Sequence, residues 1–262
     1  MPDERVIRTE IGGGTAVVTL ERPAVRNALN GELLAALGDA LTAADAHPEV
    51  ASIILTGADP AFCAGLDLKE LSRSDGPLTR VAAGNPGGNQ GSPWPPVAKP
   101  VIGAINGVAI TGGLELALHC DFLVASERAR FADTHTRVGI LPGWGLTVRL
   151  PEAIGLRRAK EMSATGNFLD AVDALRLGLV NHVVAHADLL PFCRRLASDI
   201  ASNDPEAVVA LLASYRETSL TTGAEGLQIE HRIGKAWRAR TFDPVEIERR
   251  RTAVIARGRS QI

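Results

Sequence analysis

The sequence predicts an α/β protein, because a strand, an amphipathic helix and a buried strand follow one another near its start. The strands are predicted at residues 15–20 and 50–56, and the helix runs through Leu33 to Leu41 and ends near His47. A chain of 262 residues with 45% hydrophobic side chains can bury about 70–75% of its unfolded surface. We therefore expect one core domain, residues 1–200, and a C-terminal helical region, residues 201–262.

Turn signals and apolar runs predict the remaining elements in order. The glycines at 12–14 separate two β-rich runs, which indicates a hairpin, and the apolar run 101–105 ends at the turn dipeptide 106–107. A helix is predicted to begin at the glycines 112–113. Further strands are predicted at 122–125 and 182–184, and helices, all beyond Pro151, at 157–162, 170–177, 189–200 and 205–216.

One segment and the C-terminus have unusual compositions. Residues 72–97 contain five glycines and five prolines, which predicts a mobile loop that is either functional or disordered. Residues 231–262 carry nine Lys or Arg against three Asp or Glu. We interpret this basic stretch as a solvated or interface surface, with phosphate binding as the alternative.

Charge and cysteine content exclude several classes of protein. With 28 basic and 30 acidic residues, the chain is not a generally basic nucleic-acid binder. Its three cysteines are far apart, which supports neither a disulfide framework nor a CxxC metal site and favours the cytoplasm. Charged residues interrupt the N-terminal segment, which argues against a signal peptide. They also interrupt the apolar stretch 101–125, which argues against a membrane span. We expect no metal site and no nucleic-acid or membrane partner.

Two glycine-bearing loops, each after a predicted buried strand, are the chemical candidates. They are residues 61–69 and 112–115; the GxSxG, Walker A, HExxH and GxGxxG motifs are all missing from the sequence. Glycine allows close approach of a ligand, and amides at a helix start are unpaired within the helix. Two such amides could converge on a carbonyl oxygen as an oxyanion hole.

Glu115 follows these glycines in the first turn of the predicted helix. There it could face the same pocket as a general base. The alternative is that its carboxylate only stabilises the positive end of the helix dipole. The residues alone favour neither interpretation.

Five segments, taken together, resemble the enoyl-CoA hydratase/isomerase (crotonase) superfamily in order and spacing. They are Glu21-Arg22-Pro23 with Arg26-Asn27-Ala28-Leu29, Phe62 to Leu68, Lys99 to Gly107, Gly112 to Ala117, and Gly139-Ile140-Leu141-Pro142-Gly143. The resemblance covers most of residues 15–200. It implies a crotonase-like spiral of ββα units with a C-terminal α-helical trimerisation region, assembled as a homotrimer or as a hexamer.

The same resemblance implies an acyl-CoA thioester as substrate, so that coenzyme A is part of the substrate and no separate cofactor is needed. It assigns catalysis to Glu115 and places the thioester oxygen on the backbone N–H groups of Leu66 and Gly112. It also implies that the strip from Ala64 to Leu68 borders adenine and that Arg26 and Lys69 contact phosphates. The substrate-binding candidates are Arg26, Ala64, Gly65, Asp67, Leu68, Lys69, Gly113 and Trp144, the last shaping the acyl pocket.

His135 departs from the family pattern, because hydratases of this family carry a second glutamate at that position. A histidine can deliver a proton at neutral pH, or it can merely line the pocket or bond to Asp133. We expect hydration of an α,β-unsaturated acyl-CoA, with His135 as the proton donor. The alternatives are double-bond isomerisation, thioester hydrolysis, or acyl-CoA binding without catalysis.

Overall fold

Ten strands form the framework of the computed structural model, which describes residues 5–71, 92–219 and the single positions 221, 225, 232 and 236. In chain order they are β1 (Ile7–Gly12), β2 (Thr15–Leu20), β3 (Ser52–Gly57), β4 (Ala61–Cys63), β5 (Val101–Ile105), β6 (Val108–Ile110), β7 (Phe122–Ser126), β8 (Arg130–Ala132), β9 (Leu169–Asp170) and β10 (His182–Val184).

The larger sheet has the strand order β1-β2-β3-β5-β7-β10. The predicted hairpin is confirmed, because β1 and β2 pair antiparallel around Gly13 and Gly14. The other neighbours pair in parallel, with Val17 opposite Ile54 and Ile54 opposite Ile102. Every residue of β2, β3 and β5 is buried, as expected of parallel strands that are covered on both faces.

The smaller sheet has the order β4-β6-β8-β9. Its first three strands each follow directly on a strand of the larger sheet, so that the chain alternates between the sheets before entering a helix. This alternation is the ββα repeat, and the predicted α/β fold class is confirmed. The small strands were not predicted, because two or three residues are too few to show a period.

Nine α-helices complete the part of the chain that the structure describes. They are α1 (Gly31–Ala46), α2 (Leu68–Leu71), α3 (Gly112–His119), α4 (His135–Val138), α5 (Leu146–Ile154), α6 (Leu156–Thr165), α7 (Ala171–Leu177), α8 (Leu189–Ala201) and α9 (Pro205–Thr218). None of the described helices is long and apolar enough to cross a membrane.

The helical region predicted beyond Pro151 begins earlier in the structure. Pro151 lies inside α5, which starts at Leu146. The buried side chains of α5 are Leu146, Leu150 and Ile154, spaced four residues apart on one face. Packing of this face outweighs the backbone hydrogen bond that proline removes.

Helices cover both faces of the larger sheet. On one face, Ile54 and Ile102 pack in a cluster with Cys193 and Ala197 of α8. On the other face, alternate strand residues join the main core with Leu33, Leu37 and Leu41 of α1. The helix predicted at the glycines is α3, and its first six residues are all buried.

The chain divides into two compact units, residues 1–203 and 204–262. In the second unit, α9 begins at Pro205, and the Asp204 side chain accepts a hydrogen bond from the Ala207 N–H at 3.0 Å. Trimerisation through this unit stays a prediction. The basic stretch 231–262 lies outside the described residues, apart from positions 232 and 236.

The glycine- and proline-rich segment is described only from residue 92 onward. This end is not a free loop, because Trp94 is buried and its ring centroid lies 5.6 Å from that of His119. The expectation of mobility for residues 72–91 concerns positions outside the described part.

Candidate active site

The amide of Leu66 belongs to a strip that the turn before α1 holds in place. Gly65 C=O accepts the N–H of Leu29 at 2.8 Å, and the N–H of Asp67 donates to Leu29 C=O, also at 2.8 Å. Leu66 and Leu29 therefore form a parallel bridge, in which the N–H of Leu66 points away from Leu29. The Ala64 N–H donates to Arg26 C=O at 3.0 Å, which also brings these two predicted residues together.

Gly112 opens α3 directly beside this strip. Its N–H is among the first four of the helix, which have no acceptor within it. Gly65 has a φ of +89°, and a Cβ built on it would lie 3.5 Å from the Gly112 nitrogen and 2.8 Å from Ile110 C=O. Close approach therefore requires glycine at position 65. The structure brings the two predicted amide-bearing segments together.

Thr111, immediately before Gly112, has a strained backbone with φ +55° and ψ −115°. Ala132, the last residue of β8, and Thr134 shortly after it hold Thr111: the Thr111 N–H donates to Ala132 C=O at 2.9 Å, and the Thr111 hydroxyl lies 2.5 Å from that of Thr134. These bonds connect the start of α3 to the segment that carries His135. Sequence reasoning missed Thr111, since a β-branched residue gives no signal for a positive φ.

Glu115 is buried in the first turn of α3, and neighbours hold both of its carboxylate oxygens. The backbone N–H of Trp144 donates to Oε1 at 2.7 Å, and Oε2 lies 3.4 Å from Nε2 of His135. The carboxylate thus points across the site instead of back toward the amides of its own helix. This geometry favours the pocket interpretation of Glu115.

His135 lies between two buried carboxylates. Its Nδ1 is 2.6 Å from Oδ1 of Asp133, and its backbone N–H donates to the same oxygen at 3.1 Å. Burial lowers the pKa of His135, but the hydrogen bonds and negative charges of Asp133 and Glu115 outweigh burial and raise it to about 9. At neutral pH the ring is therefore an imidazolium.

Asp133 carries a negative charge behind that ring. Burial raises its pKa, while hydrogen bonds from the side chains of His135 and Ser163 lower it further than burial raises it. The ring of His135 therefore lies in a row between the two acidic side chains, Asp133 on one side and Glu115 on the other. Sequence analysis named Asp133 as a possible bonding partner of His135, and the structure places the two in contact.

Trp144 lies beside the start of α3. It is 5% exposed, and its Cζ3 lies 3.4 Å from where a Cβ on Gly112 would stand. Gly113 faces β4, where a Cβ on it would lie 2.2 Å from Cys63 C=O. The absence of a side chain at this position therefore permits α3 to pack on β4. Its predicted contact with substrate stays a prediction.

Asp67 has structural partners. It accepts a hydrogen bond from the guanidinium of Arg22 at 3.2 Å and another from the Lys69 N–H at 3.1 Å, at the start of α2. Leu68, Lys69 and Arg26 are exposed near this end of the strip, as a contact to coenzyme A requires. Their roles with adenine and phosphate stay predictions.

Asn27 is the second residue that sequence reasoning missed. It is fully buried with φ +55°; its Oδ1 accepts the Arg22 N–H at 2.9 Å, and its Nδ2 donates to Ala58 C=O at 2.8 Å and to Ala61 C=O at 2.7 Å. One side chain thus fastens the turn before α1 to β4, and so holds the strip that carries Leu66. An asparagine in a turn is compatible with positive φ, which was the available signal.

The described residues contain no group of three or more His, Cys, Asp or Glu placed to hold a metal ion.

Comparisons with known proteins show which family this chain is related to. The enoyl-CoA hydratase/isomerase family matches residues 10–241. A probable enoyl-CoA hydratase of Rhizobium meliloti is 41% identical over 231 residues, 86% of each chain. The crystal structure of enoyl-CoA hydratase from Mycobacterium tuberculosis H37Rv is 50% identical with a TM-score of 0.75, covering 90% of this chain and 100% of that one. The enoyl-CoA hydratase structure from Bacillus anthracis is 32% identical with a TM-score of 0.83, covering 95% and 96%.

Proposed function

The chain belongs to the enoyl-CoA hydratase/isomerase family, and we propose that it adds water across the α,β double bond of an acyl-CoA thioester. The observation that carries this proposal is the buried pair of Glu115 and His135, 3.4 Å apart beside the start of α3. A carboxylate and an imidazolium in contact supply a base and an acid together at neutral pH.

In this proposal the backbone amides of Leu66 and Gly112 bind the thioester oxygen. Negative charge moves onto that oxygen when the β-carbon is attacked, and preorganised N–H groups stabilise it. One such donor is worth about 3–4 kcal/mol in the transition state. The bonds that hold Gly65 and Asp67 to Leu29 fix the first amide, and those at Thr111 fix the second.

Glu115 and His135 then carry the two proton transfers. Glu115 takes a proton from water as the water oxygen bonds to the β-carbon, and His135 gives its Nε2 proton to the α-carbon. The enzyme finishes with a protonated Glu115 and a neutral His135. Return of the proton from Glu115 to His135 restores the starting state, so all atoms and charges balance.

The outer part of the proposed site holds coenzyme A. The exposed cations Arg26 and Lys69 would contact its phosphates, the strip from Ala64 to Leu68 its adenine, and Trp144 would bound the acyl pocket. No further cofactor is required, because the side chains provide both acid and base.

We also propose a homotrimeric or hexameric assembly in the cytoplasm. Large apolar side chains such as Leu141 and Val172 are 78% and 70% exposed, which favours burial against another copy. All three cysteines are free thiols, as in a reducing compartment. Sedimentation of the purified protein tests the assembly.

The activity is tested with crotonyl-CoA as substrate. Hydration removes its conjugated double bond, and the resulting loss of absorbance is measured. Glu115→Gln keeps the size of the side chain and removes the base, so kcat should fall roughly 10²–10⁴-fold. The matched control is Glu32→Gln, the same change at an exposed position of α1, which should leave kcat unchanged.

Full activity of Glu115→Gln contradicts the assignment of the base. If the wild-type protein does not hydrate crotonyl-CoA, a panel of acyl-CoA thioesters shows what it does instead. A shifted double bond indicates an isomerase, release of free coenzyme A indicates a hydrolase, and binding without turnover indicates a non-catalytic acyl-CoA-binding protein. Each of these results overturns the proposed hydration.

A further inference from the structure

We propose that Asp133 is a positioning residue, which fixes the ring of His135 so that its Nε2 proton is directed at Glu115 and the reacting α-carbon. The importance of this proton for hydration rests on the proposed function. The position and charge of the ring rest on the geometry alone.

Asp133 holds His135 at two points. A single oxygen, Oδ1, accepts both the backbone N–H of His135 at 3.1 Å and the ring Nδ1–H at 2.6 Å. Both side chains are buried. Rotation of the ring would break the shorter bond and leave a buried carboxylate with one donor fewer, so the ring keeps Nε2 facing Glu115.

This orientation determines where the proton lies. If His135 were neutral, with its one proton on Nδ1, the lone pair of Nε2 would face Oε2 of Glu115 at 3.4 Å. Two acceptors would then oppose each other in a buried place that also contains two carboxylate charges. A second proton on the ring turns this repulsion into an ion pair, which agrees with the raised pKa of His135.

The surroundings of the ring supply no competing charge in the part of the chain that the structure describes. The charged groups that face His135 are Asp133, from the loop before α4, and Glu115 of α3. From α6, the neutral hydroxyl of Ser163 bonds to Asp133.

Ser163 supports Asp133 from the opposite side. Its hydrogen bond helps keep Asp133 ionised and fixes the carboxylate to α6. Asp133 thus acts on the reaction only through His135, and Ser163 acts through Asp133. Removal of the aspartate charge should lower the pKa of His135. Removal of the serine hydroxyl should lower it too, but by less.

The experiment measures the titration of His135 directly. Protein labelled with ¹⁵N in its histidines is titrated by NMR, and the His135 signals are assigned by their loss in His135→Asn. Asp133→Asn keeps the shape and hydrogen-bonding oxygen but removes the charge, so the pKa of His135 should fall by roughly one unit or more. Ser163→Ala should shift it less, and Asp39→Asn, an exposed aspartate of α1, should not shift it.

Crotonyl-CoA hydration supplies the second readout. In Asp133→Asn, kcat should fall roughly tenfold or more, KM should stay unchanged, and the alkaline limb of the pH profile should move to lower pH. A general loss of structure would change KM as well and would not move that limb selectively.

The two proposals fail separately. If His135 titrates near 6.5 in the wild type, or with the same pKa in Asp133→Asn, the positioning role of Asp133 is wrong whatever the activity. If the NMR shift occurs but the wild type does not hydrate crotonyl-CoA, the proposed function is wrong and the positioning stands. Should Asp133→Asn fail to fold, Ser163→Ala decides, since an unchanged His135 titration there also overturns the inference.

Discussion

Replacement of His135 by asparagine tests the charge of this residue through the stability of the fold. Asparagine can still donate to Asp133 but cannot take up a proton. In the wild type the pKa of His135 is raised from 6.5 to about 9, so between these pH values the folded protein binds a proton that the unfolded chain has released. This stabilising contribution is fully present below pH 6.5 and is lost as the pH rises through 9.

The size of the effect follows from the pKa difference. One unit corresponds to about 1.4 kcal/mol, so the wild type should lose roughly 3 kcal/mol more unfolding free energy than His135→Asn from pH 6.5 to pH 9. Asp133 remains ionised throughout that range, because its pKa is lowered, and adds no slope of its own. The two proteins should therefore have their largest stability difference at the acidic end.

Urea unfolding at intervals across this pH range measures the difference, with protein concentration held fixed because assembly also stabilises the folded state. Burial raises the pKa of the Cys63 and Cys193 thiols to about 12, so these groups also reduce stability as pH rises. They do so equally in both proteins, and the difference between the curves isolates His135. Parallel curves would refute the ion-pair reasoning.

Two further predictions concern residues that hold the amide-bearing segments. Gly113→Ala should lower the unfolding free energy by roughly 3 kcal/mol, because its Cβ would meet Cys63 C=O at 2.2 Å. Gly12→Ala, with nothing within 4 Å, should change it by less than about 0.5 kcal/mol, and equal urea midpoints would contradict the packing argument. Asn27→Asp should cost roughly 3–5 kcal/mol at neutral pH and less in acid, because an ionised carboxylate cannot donate to Ala58 and Ala61. Asn30→Asp, at the N-cap of α1, is its control and should be nearly neutral; a similar loss in both would refute this role of Asn27.

The sequence predicted the parts of the fold that rest on local patterns. Apolar runs gave the buried strands β3 and β5, and the glycines gave both the hairpin turn and the start of α3. Gly65 and Gly112 indicated that the two loops could converge, and the structure brings the segments carrying Leu66 and Gly112 together. Each of these inferences needed only neighbouring residues.

What the sequence did not predict depends on partners that are distant along the chain. Asp67 pairs with Arg22, which lies 45 residues earlier, and no local pattern records that contact. The hydrogen bond from Trp144 to Glu115 comes from a backbone N–H, which every residue but proline offers. Helix α5 was not predicted; proline usually disfavours a helix interior, but tertiary packing keeps Pro151 within α5.

Asp133 also limits how this site can change by mutation. Substitution of His135 by glutamate alone would bury a third carboxylate between Asp133 and Glu115 in place of the cation that now separates them. Like charges in one buried site raise the pKa of its carboxyls, so Glu115 would share the site with two further acidic groups instead of one acid and a cation. The two positions are therefore epistatic: a path to a site with two glutamates must neutralise Asp133 before or together with the change at His135. A combinatorial library that varies positions 133 and 135 together would contain the functional combinations that single-site libraries miss.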